Sequence, residues 1–274
     1  MFKNATMMAA ALLFIGLVGT AAVGLTADEI YDLMDAEADA LGEGSMVSII
    51  KFYNVFSDGK DNEYLFGSLS KPGRSLIYFI EPSDLRGSVF LTHEAATDDE
   101  SNRLWIYVPY FGAQPGKELV TEEDRSGSFA GSSLSYEDIG DRERRADYDA
   151  LLLGEEELVI GELARSVYVI ESTAKADADV ETLRTVIWID TEFLIMLKME
   201  GYNDLGNLES TMEVLALGEF EGKLTPDEML ATNVSDDSST TITFLDRQRL
   251  DEEIPEDVFQ SENLHAIDPT AWGF

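Results

Sequence analysis

Residues 103–111 read RLWIYVPYF, and an extended backbone sends their apolar groups to both sides, because successive side chains of a strand point to opposite faces. Leu104, Ile106, Val108 and Tyr110 then share one face, and Trp105, Tyr107 and Phe111 the other. SLIYFIEP (75–82) behaves alike, with Leu76, Tyr78 and Ile80 opposed to Ile77 and Phe79, as does TVIWID (185–190), with Val186 and Trp188 opposed to Ile187 and Ile189. A sheet made of such strands needs cover on both sides.

Outward from these segments, ten stretches read as strands: MVSIIKFYNVF (46–56), NEYLFGSLS (62–70), SLIYFIEP, GSVFLTHE (87–94), RLWIYVPYF, RSVYVIEST (165–173), TLRTVIWID (182–190), FLIMLKME (193–200), TMEVLALGEF (211–220) and TTITFLDR (240–247). Turns such as SDGKDN, KPGR and GYNDLGN separate them at hairpin spacing, which predicts a mainly β, antiparallel meander rather than βαβ units. Two stretches read as helices. In residues 28–44, Ile30, Leu33, Met34, Ala38 and Leu41 fall on one stripe; Thr26 and Glu29 form a capping box and Gly42 a stop. The second runs from 135 to 153, interrupted by Gly140 and the DRERR run. Two short helices are little cover for so many two-faced strands. Either the sheet closes on its own core, or it encloses an apolar ligand.

The chain has 274 residues, with 45% apolar and 27% charged residues, which places it among globular proteins. Nineteen basic against 54 acidic residues give a net charge of −35, which excludes strong nucleic-acid binding and adhesion to a bare anionic membrane. The absence of cysteine excludes disulfides, thiolate chemistry and lipid attachment to an N-terminal cysteine. Residues 1–27, with Lys3 before an uncharged apolar run, read as a secretory leader cut after Ala27, with Ala22 or Gly24 as other cut points. An uncleaved anchor is the alternative. Either way the folded part, a single domain over 28–274, is expected outside the cytoplasm.

Chemical motifs are few. Residues 124–138, DRSGSFAGSSLSYED, hold five serines, yet Ser128 is flanked by Ser126 and Ala130 where a nucleophile elbow needs glycines. Gly127 and Gly131 also lack the spacing and the lysine of a phosphate loop. Instead, Ser135 with Asp138 fits an acidic capping box for a short helix starting at Tyr136. The two histidines, His93 and His265, are not spaced as metal ligands. The acidic clusters at 98–100, 154–157, 177–181 and 236–237 lack the order of a calcium loop. Arg142, Arg144 and Arg145 form the densest basic patch, read as local ion pairs. No cofactor or metal motif is present.

The order of WIYVP, DRSGSFAGSSLSYEDIGDR, ALLLGEEEL, VYVIESTAK, VIWIDTEFLIMLKMEGYN, LTPDEMLATNV, TITFLDRQ and IPEDVFQSENL resembles the outer-membrane lipoprotein-sorting (LolA-like) proteins, in their larger branch with an SFMGS-type motif. The likeness runs from about Ala27 to Leu264. Asp124, Arg125, Ser128, Phe129, Gly131, Ser132, Tyr136, Glu137 and Asp138 fall on the family's signature loop. Ala130 stands where methionine is usual, Ser133 and Leu134 where an acidic-aromatic pair is common, and Glu118 where arginines are frequent. The resemblance implies a strongly curved antiparallel half-barrel, with helices over an apolar cavity. It also implies a periplasmic carrier of lipid or acylated lipoprotein cargo, with a membrane-complex donor and an outer-membrane acceptor. Tyr78, Phe90, Trp105, Tyr107, Phe129 and Trp188 are the expected lining residues. Two alternatives accompany this reading. One is an acyl-ester hydrolase using Ser128 or Ser132 with His93 and Asp124; the other is an envelope interaction or sensor domain whose pocket is filled by its own side chains.

Overall fold

Hairpin after hairpin, the chain builds one open, curved antiparallel sheet. The computed structural model describes residues 24–274 except 96–99, 141–144, 177, 179 and 181. The leader reading, most of the 98–100 and 177–181 acidic clusters, and Arg142 and Arg144 therefore lie outside the described residues. The strands are β1 (Ser45–Val55), β2 (Asp61–Lys71), β3 (Arg74–Glu81), β4 (Val89–His93), β5 (Arg103–Tyr107), β6 (Lys117–Glu118), β7 (Tyr148–Ile160), β8 (Leu163–Ala174), β9 (Arg184–Asp190), β10 (Met196–Tyr202), β11 (Leu208–Phe220), β12 (Lys223–Asn233) and β13 (Ser238–Leu250). Their order across the sheet is β6-β5-β4-β3-β2-β1-β13-β12-β11-β10-β9-β8-β7. The two ends of the meander, β1 and β13, thus pair in the middle.

Three of these strands differ from the sequence reading. β7 begins inside the stretch read as a second helix; among the described residues there, only Tyr136–Gly140 (α3) is α-helical. LLLGEEEL carries its charges on consecutive residues and so hides the two-residue period, as befits an edge strand whose glutamates discourage pairing with another chain. β12 was masked by Pro226, which a central strand excludes. It is tolerated because the β11–β12 register slips between Val214 and Leu217, opposite it. β6 has only two residues.

The covers are α1 (Ala27–Gly42) and the 119–140 segment, containing α2 (Glu122–Arg125) and α3, on one face, and the C-terminal tail on the other. On the first, here the loop face, α1 packs Ile30 and Tyr31 against Ile170, Ile187 and Ile189. The capping box at Thr26 and Glu29 is formed. The buried stripe uses Tyr31 rather than Leu33, because the Tyr31 hydroxyl lies 2.9 Å from Ser172 Oγ, while Leu33 is 42% exposed.

The opposite, tail face is covered over β1–β5 by short 3-10 turns at Glu256–Phe259, Ser261–Ala266 and Pro269–Trp272. Ile254, Phe259 and Leu264 pack on Leu76, Tyr78, Leu91, Trp105 and Tyr107. Gly67 admits the final residue: a Cβ there would sit 2.4 Å from the Phe274 ring, which stacks on Tyr78. Buried Lys71 ties the tail down through the Ile254 carbonyl (3.1 Å) and the carboxylates of Glu253 (3.2 Å) and Glu256 (2.7 Å). His93 Nε2 donates to the Phe259 carbonyl at 2.6 Å.

Burial holds the His93 imidazole below its ordinary value, with Arg74 and Arg103 acting in the same direction against the carbonyl bond. Below its usual value of about 6.5 the unfolded chain takes up a proton that the folded His93 refuses. Stability from this group is therefore lost as pH falls from there through the folded pKa. Melting temperatures from pH 8 to pH 5 should drop less for His93→Gln than for the natural chain; parallel profiles would show that His93 does not couple tail docking to pH.

Candidate functional site

The serine-rich segment is a plug. Ser128 and Ser135 form an antiparallel bridge, Phe129 N–H donates to the Leu134 carbonyl at 2.7 Å, and Ser132 N–H to the Phe129 carbonyl at 2.9 Å. Ala130 (φ 54°) and Gly131 (φ 72°) turn the chain through the left-handed region. This small hairpin drives Phe129, fully buried, into the loop face. Its ring meets Phe52, Phe66, Phe79, Phe90 and Tyr136 at centroid distances of 5.4–6.1 Å, mostly tilted or edge-on as aromatic quadrupoles prefer.

Polar ties hold the plug in place. Ser133 donates its N–H to Thr240 Oγ1 (2.9 Å) and its hydroxyl to the Ala231 carbonyl (3.2 Å). Thr240 passes the chain on to Asn54 Oδ1 (2.8 Å), and Asn54 to Asn62 (2.7 Å). Ser128 donates to the Ser132 carbonyl at 2.6 Å, and buried Ser132 to that of Leu134 at 3.2 Å. Asp124 pairs with Lys117 at 2.5 Å and Arg125 donates to the Asn102 carbonyl. The lysine holds the Asp124 carboxyl below its usual range. At α3, Asp138 N–H donates to Ser135 Oγ (3.0 Å) and Ser135 N–H to Asp138 Oδ2 (2.7 Å), a reciprocal cap. Tyr136 leans on Phe90 and Phe129, and burial pushes its hydroxyl pKa up. Glu137 lies within α3.

The structure divides the six expected lining residues between two faces. Phe90 and Phe129 are on the loop face, inside the aromatic cluster. Tyr78, Trp105 and Tyr107 are on the tail face, under the C-terminal turns. Trp188 shares that face's parity through its partners Val169 and Lys198, and its indole N–H donates to Glu156. A one-residue step along a strand exchanges faces, so sequence alone could not sort them. His93 stacks edge-on against Trp105 on the tail face, whereas Ser128 is on the loop face. The sheet separates the serine–histidine pair that a hydrolase would need. Among the described residues no group of three His, Asp or Glu side chains is placed to hold a metal.

Between plug and α1 the loop face carries a seam of methionines that sequence reasoning missed. Met199 is paired across strands with Met212, Met212 with Ala231, and Met229 with Val214; Met34 of α1 packs at its far side. All four methionines are half-buried. Their signal was parity: with the β10–β12 register in hand, all three strand methionines point to the loop face. One step further along β10 and β11, Gly201 and Ser210 open onto a polar hollow of about 300 Å³. The plug contributes Ser126, Ser135 and Asp138 to its lining; the strand ends contribute Ser210, Glu209 and Ser235.

Residues 72–266 match a family model described as an uncharacterized protein. The chain belongs to that family. A DUF1329 family protein from Desulfovibrio piger is 23% identical with a TM-score of 0.74, covering 86% of this chain and 98% of that one. A putative outer membrane lipoprotein-sorting protein domain from Vibrio parahaemolyticus is 22% identical (TM-score 0.71; 86% and 97% covered). A LolA superfamily protein from Nitrosomonas europaea is 20% identical (TM-score 0.63; 86% and 98% covered). The fold is thus LolA-like, as the resemblance implied. No curated protein matches the chain.

Truncating the plug tests its role. Phe129→Ala should destabilise the protein by about 3–5 kcal/mol, read as a lower urea midpoint with unchanged slope. A change below about 1 kcal/mol would mean that the cluster closes without it.

Proposed function

We propose that the protein binds acyl chains in the methionine seam and carries lipid or acylated lipoprotein cargo outside the cytoplasm. The observation carrying this reading is an apolar strip that stays half-buried between two covers, on a sheet face whose flanking apolar clusters are closed by α1 and by the plug. The solved structures it resembles include one named for outer membrane lipoprotein sorting, which adds to the reading without deciding it. Transfer between a membrane donor and an outer-membrane acceptor follows from the same reading.

The physics suits a carrier. Each methylene contributes about 0.8 kcal/mol on burial, so two long acyl chains cost on the order of 20 kcal/mol to expose to water. A carrier must offset most of that and still let go, which favours broad apolar contact without polar locks. Methionine is unbranched and polarisable, and adapts its shape to irregular partners. Among the described residues no helix is long and apolar enough to cross a membrane. The leader remains part of the proposal, with its cut at Ala22 or Gly24 rather than Ala27. Thr26 caps α1 and Ala27 is buried, and losing such a cap costs about 1 kcal/mol.

Delipidated protein should take up a pyrene-labelled long-chain alcohol saturably, and Met212→Gln should weaken uptake about tenfold, or about 1.4 kcal/mol, with unchanged circular dichroism. Absence of saturable uptake by the natural chain would overturn the proposal.

A further inference from the structure

We infer that the polar hollow beside the methionine seam is a headgroup subsite, and that it selects cargo whose head is uncharged and hydroxyl-bearing over cargo with an anionic head. This rests on the acyl-chain reading and adds to it the class of headgroup.

The first ground is continuity. Met199 and Gly201 are two residues apart on β10, and Met212 and Ser210 two apart on β11. Both steps stay on the loop face, because Met199 pairs with Met212 and Gly201 with Ser210. An extended acyl chain in the seam therefore runs straight into the hollow at one end. Gly201 leaves the entrance low: a Cβ there would stand 2.6 Å from Ser210 Oγ.

The second ground is the lining chemistry. Serine hydroxyls donate and accept, so they match the hydroxyls of a glycerol or sugar. The two charged side chains of the lining, Asp138 and Glu209, are both acidic, and the described lining contains no lysine or arginine. Glu209 accepts from the neutral Asn203 amide at 2.9 Å, and Asp138 from Ser135, so neither carboxylate is neutralised by a cation among the described residues. A phosphate or carboxylate head placed there would meet two like charges, and the −35 net charge of the chain adds to the repulsion.

The experiment is displacement of the pyrenyl alcohol by two unlabelled lipids with the same single acyl chain, a monoacylglycerol and a lysophosphatidic acid. The monoacylglycerol should displace the probe at a concentration about tenfold lower. Glu209→Gln combined with Asp138→Asn should shrink that gap several-fold, while Glu262→Gln with Asp257→Asn, which changes the charge equally on the C-terminal tail, should leave it intact. Equal displacement by both lipids, or a gap unmoved by the lining variants, would overturn the headgroup assignment while leaving acyl binding standing. Failure of the probe itself to bind would instead remove the underlying reading.

Discussion

An antiparallel sheet with apolar side chains on both faces must be covered twice, and the architecture of this protein follows from that demand. On the tail face the β1–β5 half is sealed by the last twenty or so residues, pinned by Lys71 and His93 and completed by Phe274 lying over Gly67. The loop face is covered in two pieces, α1 at the β7–β10 end and the Phe129 plug at the β1–β5 end. Because those covers are separate segments, they leave a strip between them. That strip holds Met199, Met212 and Met229 on the central strands.

The serine-rich loop of residues 124–138 therefore shapes the loop face. The hydroxyls of Ser128, Ser132 and Ser135 are committed to carbonyls and a cap that hold a left-handed turn and aim one phenylalanine inward. The plug blocks one half of the sheet with the protein's own rings and sets one wall of the remaining seam. Its outer serines and Asp138 form one side of the polar hollow. One loop thus serves as core, as wall and as rim.

Much of this was legible in the residues. Alternating apolar strands gave the antiparallel meander, and Thr26 with Glu29 and Ser135 with Asp138 announced both helix caps, which form as the spacing predicts. The order of motifs pointed to the LolA-like fold. What stayed hidden depends on pairing rather than on local pattern. Pro226 is acceptable in β12 only because its neighbour β11 bulges opposite it. Glu155 to Glu157 sit in a strand only because that strand is an edge. The tail, poor in periodic signal, folds as 3-10 turns because the sheet beneath supplies the contacts. The candidate site was the least legible part: the lining set mixed residues of both faces, since facing changes with every residue and only the register resolves it.

The central claim is that cargo lies on the loop face between α1 and the plug. Its most direct test is photo-crosslinking of the intact protein with a long-chain alcohol carrying a diazirine near its tail, followed by peptide mapping. The account predicts labelling concentrated on residues 196–233 and around Met34, suppressed by excess monoacylglycerol. Labelling confined to the tail face, or spread over the surface without competition, would contradict it.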